Sequence, residues 1–406
     1  MFFEKNELKL LWPFYLDAVL LNMFYIFPAF YIVYFRDIGL SIFQIGLLTS
    51  IASLASIIFE VPTGAIADIF GRKFSTILGL FLSGVSILLI PFFKDFYALL
   101  VIFFIWSMVS TLISGAKDAW IVDLVVSKGN KKIVENYYIK KDSFFSFSFV
   151  ISGIIGAIVV GKFGLSIVWI VSGIYFILNA FIFLFAKESF SRIKKSAREH
   201  YSDLIEHAKK SVKYSLNHKV ISKLLLISMI IAFFVAFGSD IIWYPMLQNY
   251  GLKDAYFGYL FSATFVLGIF TPHLIKSLAK KVGGYTRYII LVLIVMMLVL
   301  FSVSFTKNLI LTLALFVFYC TTWDLLNPAR SILFQNLITK KMRATITSLE
   351  SMIMSLGGII SFALAGFLAD IIGSQNALII AGVLIIPIIY IMFKIKNERI
   401  IKEKNL

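Results

Sequence analysis

One cysteine, four histidines and eight prolines are all that the 406 residues contain of these types. The lone thiol, Cys320, excludes a disulfide framework and a cysteine-built metal site. His200, His207, His218 and His273 fall in or near loops, and none is spaced with carboxylates as a ligand set, so no metal is expected. The chain also lacks an HExxH, Walker-type or GxGxxG pattern in a suitable context, so no cofactor is expected. With no His–carboxylate or Ser–Lys constellation either, an enzyme is not expected. Charge is scarce: 15% of residues are charged against 60% hydrophobic, and the mean hydropathy is +0.92. A water-soluble domain needs polar residues to cover its core, and this composition cannot supply them. The N-terminus shows no small-residue cleavage site, so the first helix itself is expected to direct insertion.

What the chain has instead is a series of apolar runs of roughly 20 residues, long enough to cross the hydrocarbon of a bilayer as helices. In lipid every backbone group must be bonded internally, and runs without period-2 alternation do that as helices. Twelve spans are expected, near 11–35, 42–63, 75–92, 97–124, 142–162, 165–186, 221–247, 255–275, 287–305, 308–337, 345–367 and 376–394. The fold class is an all-α membrane protein, with the lipid bilayer as a partner.

The net charge of +16 raises the question of nucleic acid. The placement of the cations answers it. Of 38 Lys and Arg, 31 fall in alternate loops and both termini, and five on the other side. The positive-inside rule puts the rich side and both termini in the cytoplasm, so the basic balance is a topology signal and no nucleic-acid partner is expected. The one composition shift, 187–219, has Leu204, Ile205, Ala208 and Val212 at helical spacing among charges, which fits an amphipathic helix on the membrane surface or a solvated tether.

That linker separates two halves that repeat. GLSIFQIGLLTS at 39–50 aligns with GLKDAYFGYLFS at 251–262, and SGAKDAWIVDL at 114–124 with NPARSILFQNL at 327–337, at nearly the same offset. The expected organisation is a six-helix bundle at 1–186, a cytoplasmic linker at 187–220 and a second six-helix bundle at 221–406. A fainter echo relates GAIADIFG at 64–71 to GFLADIIG at 366–373, as inverted repeats within each half would produce.

The stretch Glu60–Lys73 carries the most specific motif. Gly64, Ala67, Asp68, Gly71, Arg72 and Lys73, between the second and third spans, resemble the GxLADrxGRK signature of the major facilitator superfamily. SGAKDAWIVD and RATITSL are similar to segments of a prokaryotic, drug-efflux-like branch. The resemblance covers essentially the whole chain. It implies two pseudo-symmetric bundles working by alternating access, with Asp68 meeting the start of span eleven near Arg343 and Arg72 meeting Asp123. Read physically, Gly64 allows close helix approach, Gly71 a positive φ, and Asp68 the positive end of a neighbouring helix. The plainer alternative is that Arg72 and Lys73 are only topology charges.

An ionisable group inside a span costs about 2.5–3.5 kcal/mol on insertion scales, so each is a functional candidate. Asp240 and Asp324 are the first choices for proton coupling, followed by Asp17, Glu60 and Asp118. Pro245 is expected to loosen the helix beyond Asp240. Lys117 and Arg330, equivalent in the two halves, suit an anionic substrate unless neutralised by Asp118, Glu60 or Asp324. Glu350 is a partner for Arg343. Asn22, Tyr25, Trp120 and Trp323 are candidate cavity liners, with Tyr31 and Trp106.

The expected function is secondary transport of a small molecule by a monomer, with protons as coupling partner and efflux of amphipathic, drug-like compounds as first choice. Span five, SGIIGAIVVGKFG, lacks the Gly-Pro pair typical of drug/proton antiporters, which leaves uptake or exchange of a small organic anion as the alternative. A non-transporting receptor or scaffold is the alternative of another class.

Overall fold

A computed structural model describes residues 3–4, 7–126, 131–188, 219–338 and 343–404. The amphipathic reading of the linker falls mostly on 189–218 and lies outside the described residues. The described residues are helical throughout, with short joints.

The first half contains α1 (Glu7–Leu16), α2 (Tyr31–Asp37), α3 (Ile42–Phe70), α4 (Arg72–Leu89), α5 (Phe96–Ser110), α6 (Ser114–Val126), α7 (Lys131–Phe163) and α8 (Ile167–Phe183). The second contains α9 (Lys219–Phe237), α10 (Asp240–Asn249), α11 (Tyr256–Lys281), α12 (Tyr285–Val303), α13 (Leu309–Leu337), α14 (Arg343–Ile372) and α15 (Ser374–Lys404). Among the described residues nine helical stretches are long and apolar enough to cross a membrane, and ten if Tyr256–Thr271 and Leu274–Lys281 form one span. The shorter apolar α8 and the broken first segment bring the total to the twelve expected. Large apolar side chains such as Phe92, Phe305 and Ile310 are exposed, as lipid permits and water does not.

The chain divides into two compact units. Unit 1 holds Met1–Gly39, Ile51–Tyr201 and Lys253–Val266; unit 2 holds Leu40–Ser50, Ser202–Leu252 and Leu267–Leu406. In unit 1, α4 lies along α8, where a Cβ at Gly84 would stand 2.8 Å from the Gly173 carbonyl. In unit 2, α9 packs on α14, and α12 on α13 and α15.

Three spans expected to be continuous carry joints. The first ends as α-helix at Leu16, passes through a π turn (Asp17–Leu21) and two 3-10 turns (Asn22–Phe24, Phe27–Ala29), and resumes at Tyr31. Pro28 lies in the last of these turns. Span four breaks between α5 and α6, where Thr111 Oγ1 donates to the Met108 carbonyl and Thr63 Oγ1 to Thr111 Oγ1 at 3.0 Å. Such back-bonding competes with the helix ladder. Span seven breaks at Gly238–Ser239, where the Tyr319 hydroxyl sits against Gly238. The expected loosening at Pro245 is therefore misplaced: α10 runs through Pro245, and the joint comes before Asp240.

Candidate functional site

The joint in the first span leaves backbone groups without helical partners, which apolar surroundings penalise. Serines on α7 and α8 supply them. Ser172 Oγ accepts from the Ile26 and Phe27 N–H groups, both at 3.1 Å. Ser148 Oγ donates to the Ala18 and Val19 carbonyls at 2.8 and 2.9 Å, and Ser152 Oγ to the Tyr25 carbonyl at 2.8 Å.

The opened segment presents Asp17 and Asn22 to a buried polar cluster within unit 1. Lys117 Nζ pairs with Asp17 Oδ2, and Asn179 Nδ2 donates to Asp17 Oδ1. Tyr175 donates its hydroxyl to Asn22 Oδ1 at 2.8 Å and lies 3.4 Å from Asp17 Oδ1. Asn179 Oδ1 is buried with no hydrogen-bond partner among the described residues. Tyr25 borders the cluster, its ring 5.4 Å from that of Tyr175, and Lys117 Nζ lies 5.2 Å from the Phe183 ring centroid.

Unit 2 holds a comparable pair. Arg330 Nη1 donates to Glu350 Oε1 at 2.5 Å, and Ser228 Oγ to the same oxygen at 2.9 Å. Both intramembrane cations therefore carry a carboxylate, but not those expected. Lys117 takes Asp17 rather than Asp118 or Glu60, because adjacent residues on a helix point apart: Asp118 goes to Lys141 at 2.9 Å. Glu60 is exposed on α3. Glu350 takes Arg330 rather than Arg343, whose side chain lies outside the described residues. Asp240, at the start of α10, and Asp324, on α13 beside Gly268, have no ion-pair partner among the described residues.

The Glu60–Lys73 stretch ends α3 and starts α4 through Gly71, whose φ of 103° suits only glycine. Arg72 Nη1 pairs with Asp123 Oδ2 as expected. The Asp68–Arg343 contact lies outside the described residues. Lys73 is more than a topology charge. Its Nζ donates to the Leu184 and Ala186 carbonyls, both at 2.8 Å, satisfying the end of α8. Its backbone N–H donates to Glu188 Oε1 at 2.9 Å, placing a carboxylate at the start of α4. Close approach at Gly64 is not found among the described residues: a Cβ there would meet none of them within 4 Å.

Trp120 is core rather than cavity lining. It is buried between Phe14 and Phe183, with its indole N–H donated to the Lys187 carbonyl at 2.9 Å. Trp323 is half-buried beside Phe234. Tyr31 and Trp106 both pack against Phe27. The sequence reading missed Ser172, Tyr175 and Asn179. Their i, i+3, i+7 spacing, one polar stripe on an apolar helix, is the signal that marks them.

The family model described as Major Facilitator Superfamily matches residues 18–361. The chain is 27% identical over 392 residues to an uncharacterized MFS-type transporter, YxaM, of Bacillus subtilis, covering 92% of this chain and 93% of that one. It is 22% identical over 349 residues to the uncharacterized MFS-type transporter MJ1560 of Methanocaldococcus jannaschii, covering 85% and 86%. Among solved structures it is similar to the nucleoside transporter NupG (TM-score 0.74, 12% identity, 94% and 98% covered) and a D-xylose–proton symporter (TM-score 0.69, 14% identity, 95% and 97% covered). At these identities the structures show the fold alone.

Proposed function

The chain belongs to the Major Facilitator Superfamily, and from that premise we propose that this multi-pass secondary transporter is a proton antiporter exporting small amphipathic cations. It acts as a monomer in the cytoplasmic membrane of a prokaryote, with both termini in the cytoplasm and a linker at 187–220 between two six-helix bundles. One observation carries the reading. Lys117 and Arg330 are each already neutralised by a carboxylate, whereas Asp240 and Asp324 have no cation beside them among the described residues. An uncompensated intramembrane carboxylate takes a proton or a cationic ligand, and exchange of one for the other couples the two. The Arg72–Asp123 pair and Asp68 serve as the gate at the far end of α3.

Uptake or exchange of an organic anion requires a freed cation. The cation at hand is Lys117, held by the one carboxylate of Asp17 in a buried polar cluster, and that placement is what favours the second reading. Thermal-shift binding separates the two. Stabilisation by tetraphenylphosphonium that is lost in Asp240→Asn or Asp324→Asn supports export of cations. Stabilisation by small organic anions that is lost in Lys117→Ala overturns it.

A further inference from the structure

The joint between α14 and α15 repeats the joint between α3 and α4. GFLADIIG at 366–373 shares five of eight residues with GAIADIFG at 64–71. Each stretch ends its helix at a glycine of positive φ, 83° at Gly373 and 103° at Gly71. Each glycine N–H bonds back to an alanine carbonyl, Gly373 to Ala369 at 2.9 Å and Gly71 to Ala67 at 3.0 Å. In each the aspartate stands three residues before the glycine.

The Asp370 carboxylate is fully engaged. Oδ1 accepts from the Ile42 N–H at 3.0 Å and Oδ2 from the Phe43 N–H at 2.8 Å. These are the first two residues of α3, so one carboxylate satisfies two orphan donors and faces the positive end of the helix dipole. The backbones cross closely here. A Cβ at Gly366 would lie 2.5 Å from the Ile42 carbonyl, one at Gly46 would strike the Phe362 carbonyl, and the Phe43 and Phe367 rings meet at 5.7 Å. Accordingly Leu40–Ser50 belongs to unit 2, while Ile51 onward in the same helix belongs to unit 1. Asp370 thus grips the first turn of α3, a helix of 29 residues and about 43 Å in length.

We propose that Asp370 is a gating residue: its carboxylate latches the first turn of α3 to α14 and must let go in each transport cycle. The proposal rests on the alternating-access reading above. A two-point carboxylate cap combined with close backbone packing makes a discrete, two-state contact, which is what a gate requires. Loss of the carboxylate would shift the population away from the latched arrangement.

The test reads the latch without any substrate, so an error in the proposed cargo leaves it intact. In a Cys320→Ala background, Phe43→Cys and Phe367→Cys are introduced and disulfide formation is followed in membranes. Asp370→Asn and Asp370→Ala should each slow cross-linking several-fold. Asp95→Ala is the control, since Asp95 caps α5 in the ordinary way by accepting from Ala98 N–H at 2.9 Å, and it should leave the rate unchanged. Equal rates with and without the Asp370 carboxylate would overturn the proposal. So would full transport by the cross-linked protein.

Discussion

Lys117 and Asp17, 100 residues apart, form an ion pair inside unit 1, where Asn179 holds the second carboxylate oxygen. Asp17 is buried and Lys117 nearly so. Removing one partner leaves a charge without compensation, at a cost of about 3–5 kcal/mol. Lys117→Ala should therefore lower the melting temperature in detergent markedly. The double variant Asp17→Asn/Lys117→Gln should recover most of the loss. Additive losses in the double variant would show that the two charges do not act as a pair.

Ser172 serves the backbone of the first span. Ser172→Ala strips the acceptor from two N–H groups at the joint of the first span, which predicts a loss of about 1–3 kcal/mol. Ser172→Thr keeps the oxygen and should cost less. Thermal unfolding of the two variants tests this. Equal melting temperatures for Ser172→Ala and the parent would mean that the joint is satisfied in another way.

Glu7, ahead of the first span, ties α1 to α7. Its carboxylate pairs with Lys140 Nζ at 2.8 and 2.9 Å and accepts from the Tyr15 hydroxyl. Burial alone would raise its pKa, but the hydrogen bonds from Lys140, Tyr15 and the Glu4 N–H, with the Lys140 charge, outweigh it and set it below the ordinary 4.5. A carboxyl whose pKa is lower when folded contributes stability above its unfolded value, and that contribution disappears as pH falls through the folded value. The melting temperature should thus fall more steeply below pH 4.5 in the parent than in Glu7→Gln. Parallel profiles would exclude the pair as a source of acid sensitivity.

Apolar run length, loop charge and the Gly71–Arg72 motif made the helical class, the spans and the Arg72–Asp123 pair legible in the sequence. Helix ends were less so. α3 continues to Phe70, because a helix stops where glycine turns the backbone, here at Gly71, and not where apolarity ends. Ion-pair partners were least legible. Asp17, Lys117 and Asn179 come from three helices, and no local spacing encodes which helices face each other. The offset repeat, by contrast, had a structural content. Gly46 and Gly258, matched by the alignment, both lie at close backbone crossings, Gly46 against Phe362 in unit 2 and Gly258 against Gly153 in unit 1.

In the proposed antiport, Asp240 and Asp324 exchange a proton for a cationic cargo. Proteoliposomes carrying an imposed pH gradient and a fluorescent lipophilic cation measure it directly. Gradient-driven dye movement is expected with the parent protein, and none with Asp240→Asn/Asp324→Asn that reaches the membrane at normal levels. Undiminished, gradient-driven dye movement by that double variant would contradict it.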